Sequence, residues 1–336
     1  MKLSVVILNW NGRKHLERYL PSVVEHTQGD GVEVVVADNG STDDSLQWLR
    51  LNYPDVRIIR LDCNYGFAGG YNRALREVDS EYVLLLNSDV EVTSGWWQPL
   101  VAVLDGESDV AAVAPKLLSD MERSKFEYAG ASGGFIDYLG YPFCRGRILS
   151  CVEEDRGQYD DRRDIFWASG AAMCCRREVF MQLEGFDEDF FAHMEEIDLQ
   201  WRMQLAGWRI MVEPRSVVYH LGGGTLPVSS RKIYLNHRNN LAMLFKCASP
   251  MQRMVVAVVR PATDMLETFV NLVTLHPHRA WAIVRAWGSF IAWHGMLSRK
   301  RRQVQRLKSV KSVNNIYRNS IVVRYLFGGR TFKNIL

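Results

Sequence analysis

Apolar positions in the first part of the chain fall in four short, nearly unbroken runs, at residues 3–8, 32–37, 56–61 and 82–86. All four read as strands, and the one at 82–86, too short for a core helix and too apolar for an exposed strand, reads as buried on both faces. Between them the spacing turns helical: from Gly12 to about His26, then through Leu46, Trp48 and Leu49, where Ser41 or Thr42 can cap, and then on to Leu75. Strands alternating with helices predict βαβ units, an α/β fold and a mainly parallel central sheet flanked by helices. Right-handed crossovers bring the strand ends to one edge. That edge gathers the polar clusters closing each run: Asn9-Trp-Asn-Gly12, Asp38-Asn-Gly-Ser-Thr-Asp43, the Gly-rich stretch 64–72, and Asn87-Ser-Asp89. The run at 82–86 is the expected central strand.

The second half is less regular. Residues 165–173 read as a strand with a glycine kink, and 210–214 and 216–219 as two strands ending at His220 and a Gly-rich loop, 221–225. Between them, Ile197, Trp201 and Leu205 recur at helical spacing, Asp198 and Arg202 stand at i, i+4, and Gly207 is placed to end the helix. Residues 251–276 are helical in pattern with an interruption at Pro261. Residues 279–297, rich in Trp and aliphatic side chains, lead into a basic stretch at 298–308.

Charge changes this picture at one end. Residues 268–336 carry 13 Lys and Arg and no acidic side chain, against 28 basic and 38 acidic in the first 267. Such asymmetry points the tail at an anionic surface. Trp beside a basic cluster suits a helix in the membrane interface; a helical pair packed on the body, with a solvated basic end, is the plainer alternative. No nucleic-acid recognition motif accompanies the charge. The six cysteines show neither zinc nor redox spacing and read as reduced thiols in a cytosolic protein. Lys2 leads directly into a strand, which predicts no signal peptide, and no apolar run reaches the length of a spanning helix.

Three groups carry candidate chemistry. Asp89, with Asn87 two positions back and Ser88 between, offers hard oxygen ligands at a sheet edge, where a divalent cation could meet a diphosphate; a turn-capped strand would use the same residues. Glu195 and Glu196 open a helix, where a pair of carboxylates suits general-base work but where the helix dipole also favours acids. His220, at a strand end, is a metal-ligand candidate or a structural histidine. The glycines at 66, 69 and 70 could bring backbone N–H groups to phosphate, or simply form a tight turn.

Taken together, eight stretches in this order resemble the family 2 glycosyltransferases of the GT-A fold, most closely their bacterial rhamnosyltransferase-like branch. They are Val5 to Gly12, Val35 to Asp43, Asn64 to Asn72, Leu85 to Asp89, Ser169 to Met173, Phe186 to Leu199, His220 to Thr225 and Arg238 to Leu241. The resemblance spans residues 3–245 and implies a GT-A domain at 1–245 with a C-terminal helical, basic extension at 246–336. It implies an inverting transferase moving a sugar from a UDP- or dTDP-linked donor, with dTDP-rhamnose a candidate, to a glycan or lipid-diphosphate-linked acceptor in cell-surface polysaccharide. Asp38 would hydrogen-bond the base, with Asn9 and Trp10 beside it. Asn64, Gly69 and Asn72 would line the nucleotide, Asn87 and Ser88 would flank it, and Asp89 with His220 would hold Mg²⁺ or Mn²⁺. The expected base is Glu196, with Glu195 beside it. Two positions depart from the family pattern: Asn87 stands where an aspartate is common, and Glu196 where the family carries Asp, a difference of about 1 Å in reach. These departures keep open a nucleotide-sugar-binding scaffold without turnover; a nucleotidyltransferase shares the nucleotide-binding logic. The resemblance further implies a cytoplasmic protein, peripheral on the inner face of the cell membrane.

Overall fold

The computed structural model describes residues 1–222, 229–310, 313–333 and 335. The first half alternates as expected: β1 (Leu3–Asn9), α1 (Arg13–His26), β2 (Val32–Asp38), α2 (Ser45–Asn52), β3 (Arg57–Arg60), α3 (Gly66–Glu77), β4 (Tyr82–Asn87), β5 (Val90–Val92), α4 (Gln98–Gly106) and β6 (Val110–Ser119). Short strands follow, β7 (Gly134–Asp137), β8 (Pro142–Cys144), β9 (Arg147–Ile148), β10 (Cys151–Val152) and β11 (Arg163–Asp164). After them come β12 (Ala172–Arg176), α5 (Arg177–Gln182), α6 (Glu195–Leu205) and β13 (Arg209–His220). The chain then turns helical with α7 (Ser230–Cys247), α8 (Pro250–Val273), α9 (Pro277–Ala292) and α10 (His294–Leu307), and closes with β14 (Ile316–Tyr317) and α11 (Ile321–Leu326).

The main sheet runs β11-β13-β6-β12-β4-β1-β2-β3, with β5 paired to β13. β4 sits inside it, parallel to β1 and antiparallel to β12. Its alternating side chains feed two cores. Val83 and Leu85 face one, shared with α3, α6 and α7; Leu84 and Leu86 face the other, shared with α1 and α4. All four are fully buried, which is why the run lacks the polar alternation of a surface strand; each such burial is worth about 1.5–3 kcal/mol. The architecture is the expected α/β one, a central sheet flanked by helices.

Several local expectations shift. The Gly-rich stretch is the first turns of α3 and not a loop. A Cβ at Gly70 would meet Leu8 and Asn39 at 2.9 Å, so the glycines serve close helix–strand packing. Asp43, in place of Ser41 or Thr42, accepts from Ser45 at the start of α2. Residues 165–171 are irregular and the strand begins only at Ala172, because Gly170 lies in a turn. The two strands expected at 210–219 are one, β13, with register shifts between Arg209 and Ile210 and between Glu213 and Val217. Pro261 is accommodated inside α8 without ending it; Arg260 and Asp264 on either side of it are anchored inward. Gly207, at φ +98°, ends α6 as expected.

The expected boundary between residues 245 and 246 falls inside α7. Beyond it the chain returns to the body: β14 adds to β7, Phe332 packs 5.1 Å from Phe135 and 5.8 Å from Tyr159, and the Asp137 carboxylate accepts from Ile321 N at 2.9 Å. Residues 246–336 are therefore woven into the catalytic body at both ends. Among the described residues no helix is long and apolar enough to cross a membrane.

Candidate active site

At the end of β1, Asn9 is fully buried and donates to Asp38 Oδ1 (3.1 Å) and Ser41 Oγ (3.1 Å), while its own Oδ1 has no partner. Asp38 Oδ2 accepts from Ser41 N (3.1 Å). A carboxylate has about four acceptor sites, so Asp38 both braces the 38–43 turn and keeps capacity for a ligand N–H. Trp10 is exposed at the mouth. Asn64 braces: its Oδ1 accepts from Asn39 Nδ2 and Gly66 N. Asn72 is placed otherwise than expected for a nucleotide-lining residue. It is buried, donates to Phe186 O (2.9 Å) and accepts from Phe186 N (2.8 Å), tying α3 to the turn before the catalytic loop. Gly69 lies in α3, where a Cβ would meet Tyr65 at 2.9 Å and Arg73 at 3.1 Å.

β4 ends at Asn87, whose N–H donates to Ala171 O (2.9 Å). Ser88 follows near Gly12, 3.6 Å from a Cβ built there. β5 then pairs with the end of β13, so that Val90 lies opposite His220, and Leu221 N donates to Asp89 O (3.1 Å). This zipper sets Asp89 Oδ1 3.2 Å from His220 Nε2; the other ring nitrogen, Nδ1, lies 3.4 Å from Glu127 Oε1. All three side chains are buried. Burial opposes charge on His220, but Glu127 and Asp89 outweigh it and push the imidazolium up to about 10. Burial likewise opposes charge on Asp89, and His220 more than offsets it, holding the carboxyl below its usual range. Of the expected loop at 221–225, residues 223–225 lie outside the described residues. Once an incoming ion displaces the His220 proton, the Asp89 carboxylate and an imidazole oriented by a second carboxylate form a donor set that fits Mg²⁺ or Mn²⁺. Glu127 was not foreseen; it stands in a stretch without periodicity, and no local signal marks it.

The second acidic group starts α6. Phe191, His193 and Met194 all have φ between +65° and +72°, a costly backbone state for residues with a Cβ. The segment is held by α7: Asn239 Nδ2 donates to the carbonyls of Phe190, Ala192 and His193, at 2.7–3.1 Å. Arg238 donates to those of Asp189 and Phe190. From the front, Phe67 N donates to Phe191 O (2.7 Å). Along α6, Gln200 exchanges two hydrogen bonds with the backbone of Ala168. Glu196 Cβ lies 3.9 Å from a Cβ built at Gly170, next to Ala171, whose carbonyl takes the Asn87 N–H. The 168–171 turn thus lies between the start of α6 at Glu196 and the end of β4, two residues before Asp89.

No cation pairs with Glu195 or Glu196 among the described residues, and each has a buried oxygen without a hydrogen bond. Burial raises Glu195 well above its ordinary range, with a further push from Glu196. Burial also raises Glu196, to about 7, against the N–H groups of the first helical turn. The helix terminus supplies about 0.3–1 kcal/mol, too little to offset the desolvation of a carboxylate. Asp198, three residues on, is the contrast: Arg202 (2.9 Å) and Lys246 (2.8 Å) both pair with it. His193 is a further unforeseen group; burial keeps it neutral, pushing it down to about 4, and its Nε2 is buried without a partner.

Residues 4–183, more than half of the chain, match the family described as Glycosyl transferase family 2. The chain belongs to glycosyl transferase family 2. Within this glycosyltransferase the matched region carries the β1, β2 and β4 edge, while α6 and His220 lie beyond it. The chain is 31% identical over 239 residues, 65% of its own length and 75% of the relative's, to the N-acetylglucosaminyl-diphospho-decaprenol L-rhamnosyltransferase of Mycobacterium tuberculosis. It is 26% identical over 221 residues, 65% of its length, to the O-antigen biosynthesis protein RfbC of Myxococcus xanthus, of which that covers 17%. The fold is shared with GalNAc-T7, solved with UDP, GalNAc and Mn²⁺ (TM-score 0.60, 17% identity, 78% of this chain and 50% of that one). It is shared also with residues 1–349 of S. aureus TarS in complex with UDP (TM-score 0.57, 18% identity, 91% and 87%).

Proposed function

We propose that this family 2 enzyme is an inverting, divalent-metal-dependent glycosyltransferase that moves a sugar, with dTDP-rhamnose the favoured donor, onto a hydroxyl of a lipid-diphosphate-linked glycan. In this reading it works from the inner face of the cell membrane in cell-surface polysaccharide synthesis. The observation that carries it is the contrast between two acidic groups: Asp89, ionised and joined to a histidine, and Glu196, half-buried, with an unpartnered carboxylate oxygen and raised to about 7. The related rhamnosyltransferase supports the donor and acceptor classes through its name.

Asp89 and His220 would hold Mg²⁺ or Mn²⁺, with Glu127 orienting the imidazole. The ion supplies charge neutralisation for the departing diphosphate. Asp38 accepts from the single ring N–H of the pyrimidine base, with Asn9 beside it, and Trp10 covers the base. Glu196 takes the proton of the acceptor hydroxyl as that oxygen attacks the anomeric carbon from the face opposite the nucleotide, so configuration inverts. The strained 191–194 segment holds this carboxylate in place, and closure against water keeps it a base near neutral pH.

Purified protein with Mn²⁺ or Mg²⁺ and a panel of UDP-, dTDP- and GDP-sugars tests the reading. Release of one nucleoside diphosphate, stimulated by a polyprenyl-diphosphate-sugar acceptor and lost with chelator and in Glu196→Gln, is expected. Release of free diphosphate would mark a nucleotidyltransferase, and nucleotide binding with no turnover on any acceptor would mark a scaffold.

A further inference from the structure

In α8 polarity is inverted. The face packed on the body holds, beside Val256, three polar or charged side chains, Gln252, Arg260 and Asp264, all buried. Each finds protein partners: Gln252 with Tyr138 O (2.9 Å), Arg260 with Leu139 O and Asn240 Oδ1, Asp264 with Trp287 Nε1 (2.9 Å). The face turned outward is apolar from end to end. Met254, Val258, Met265, Phe269 and Leu272 recur there at helical spacing, with Val258 75% exposed, Met265 71% and Phe269 60%. On α9, Trp281, Val284 and Ile291 continue the open apolar surface. The other two tryptophans of that helical stretch are engaged with the protein: Trp287 bonds Asp264, and Arg238 stacks over Trp293 at 4.3 Å. A helix in water buries its apolar face; one at a bilayer surface does the reverse.

From this we infer that the outer face of α8, with Trp281, Val284 and Ile291 of α9, is the surface by which the protein lies on an anionic lipid bilayer. Charge selects the occupant. Residues 268–336 bring 13 positive side chains and no negative one, and Arg285, Arg299, Arg302 and Arg306 are exposed on α9 and α10. Anionic headgroups complement that charge, whereas a second copy would set like charge against like. The only acid among the exposed residues of α8, Glu267, is paired with His237 (3.3 Å). The position also serves the reaction, and this part rests on the lipid-linked-acceptor reading. α8 packs its Arg260 on Asn240 of α7, next to the Asn239 that holds the loop before Glu195. The bilayer would thus lie one helix from the catalytic carboxylates.

The test is co-sedimentation of the full-length protein with vesicles of phosphatidylcholine alone or mixed with phosphatidylglycerol, without substrates, for wild type and for Val258→Asp with Phe269→Asp. Wild type should pellet with the phosphatidylglycerol vesicles and less with phosphatidylcholine alone. The double variant should partition at least about tenfold less, with its thermal unfolding and donor hydrolysis unchanged, since both side chains stand in the open. Wild type remaining in the supernatant, or the variant pelleting equally, would overturn the proposal. So would a wild-type dimer that the variant splits in the absence of vesicle binding, which would give the face to a second copy. Absence of donor hydrolysis with vesicle binding intact would count against the enzymatic reading and leave the docking face standing.

Discussion

Asp89 and Glu196 are both carboxylates withdrawn from water, yet their surroundings drive them apart. Asp89 has a histidine within 3.2 Å, itself backed by Glu127, and stays below the usual carboxylate range. Glu196 has a carboxylate oxygen out of water and no paired cation among the described residues, and desolvation raises it to about 7. Both are desolvated, so burial alone does not decide protonation; the partner does. The separation suits the proposed roles, an ionised ligand on one side and a base that can take and release a proton on the other.

The largest expected effect breaks the basic side. Glu196→Gln should lower transfer by about 10²–10⁴-fold while leaving nucleoside diphosphate affinity unchanged in the presence of Mn²⁺, as read by single-turnover transfer and titration calorimetry. On the ionised side, Asp89→Ala should cost about 10²-fold or more and, unlike the first change, should weaken Mn²⁺-dependent nucleotide binding. Glu127→Gln sharpens the comparison. It leaves both site carboxylates in place, and should cost about 10–100-fold in metal affinity without moving the pH dependence set by Glu196.

The smallest effect is on stability. The native state raises Glu196 from an ordinary 4.5 to about 7, so the folded protein keeps a proton that the unfolded chain gives up. That linkage favours folding below pH 4.5 and is lost as pH rises to about 7. Glu196→Gln, neutral throughout, should therefore unfold at a higher temperature than wild type at pH 8, by on the order of 1–3 kcal/mol, and no higher at pH 4. A scan at the two pH values checks the sign.

Much of the β1–β4 edge was legible because its strands are short apolar runs and each closes on a polar cluster. The Asp198–Arg202 pairing followed from i, i+4 spacing, and Glu195 and Glu196 stood out as adjacent acids at a helix start. What was not legible depends on distant contacts. Glu127 acts only because β13 delivers His220 beside it, and it stands in a stretch whose strands, β9 and β10, are two residues long and carry no periodicity. Asn72 was taken to line the nucleotide, yet its side chain is turned to Phe186, more than a hundred residues away. Residues 191–194 carry no turn glycine; their left-handed conformation is imposed by Asn239 and Arg238 from α7. The tail was read through its tryptophans and basic cluster, while the inverted face of α8 needed the knowledge of which side packs inward.

The central claim, that Glu196 is a buried base poised near neutrality while Asp89 stays ionised, is tested most directly by the pH dependence of transfer at saturating donor, acceptor and Mn²⁺. The rate should climb tenfold per pH unit at low pH, bend at about 7 and then level. A limb that bends at about 4.5, or a rate indifferent to pH between 5 and 8, would contradict it.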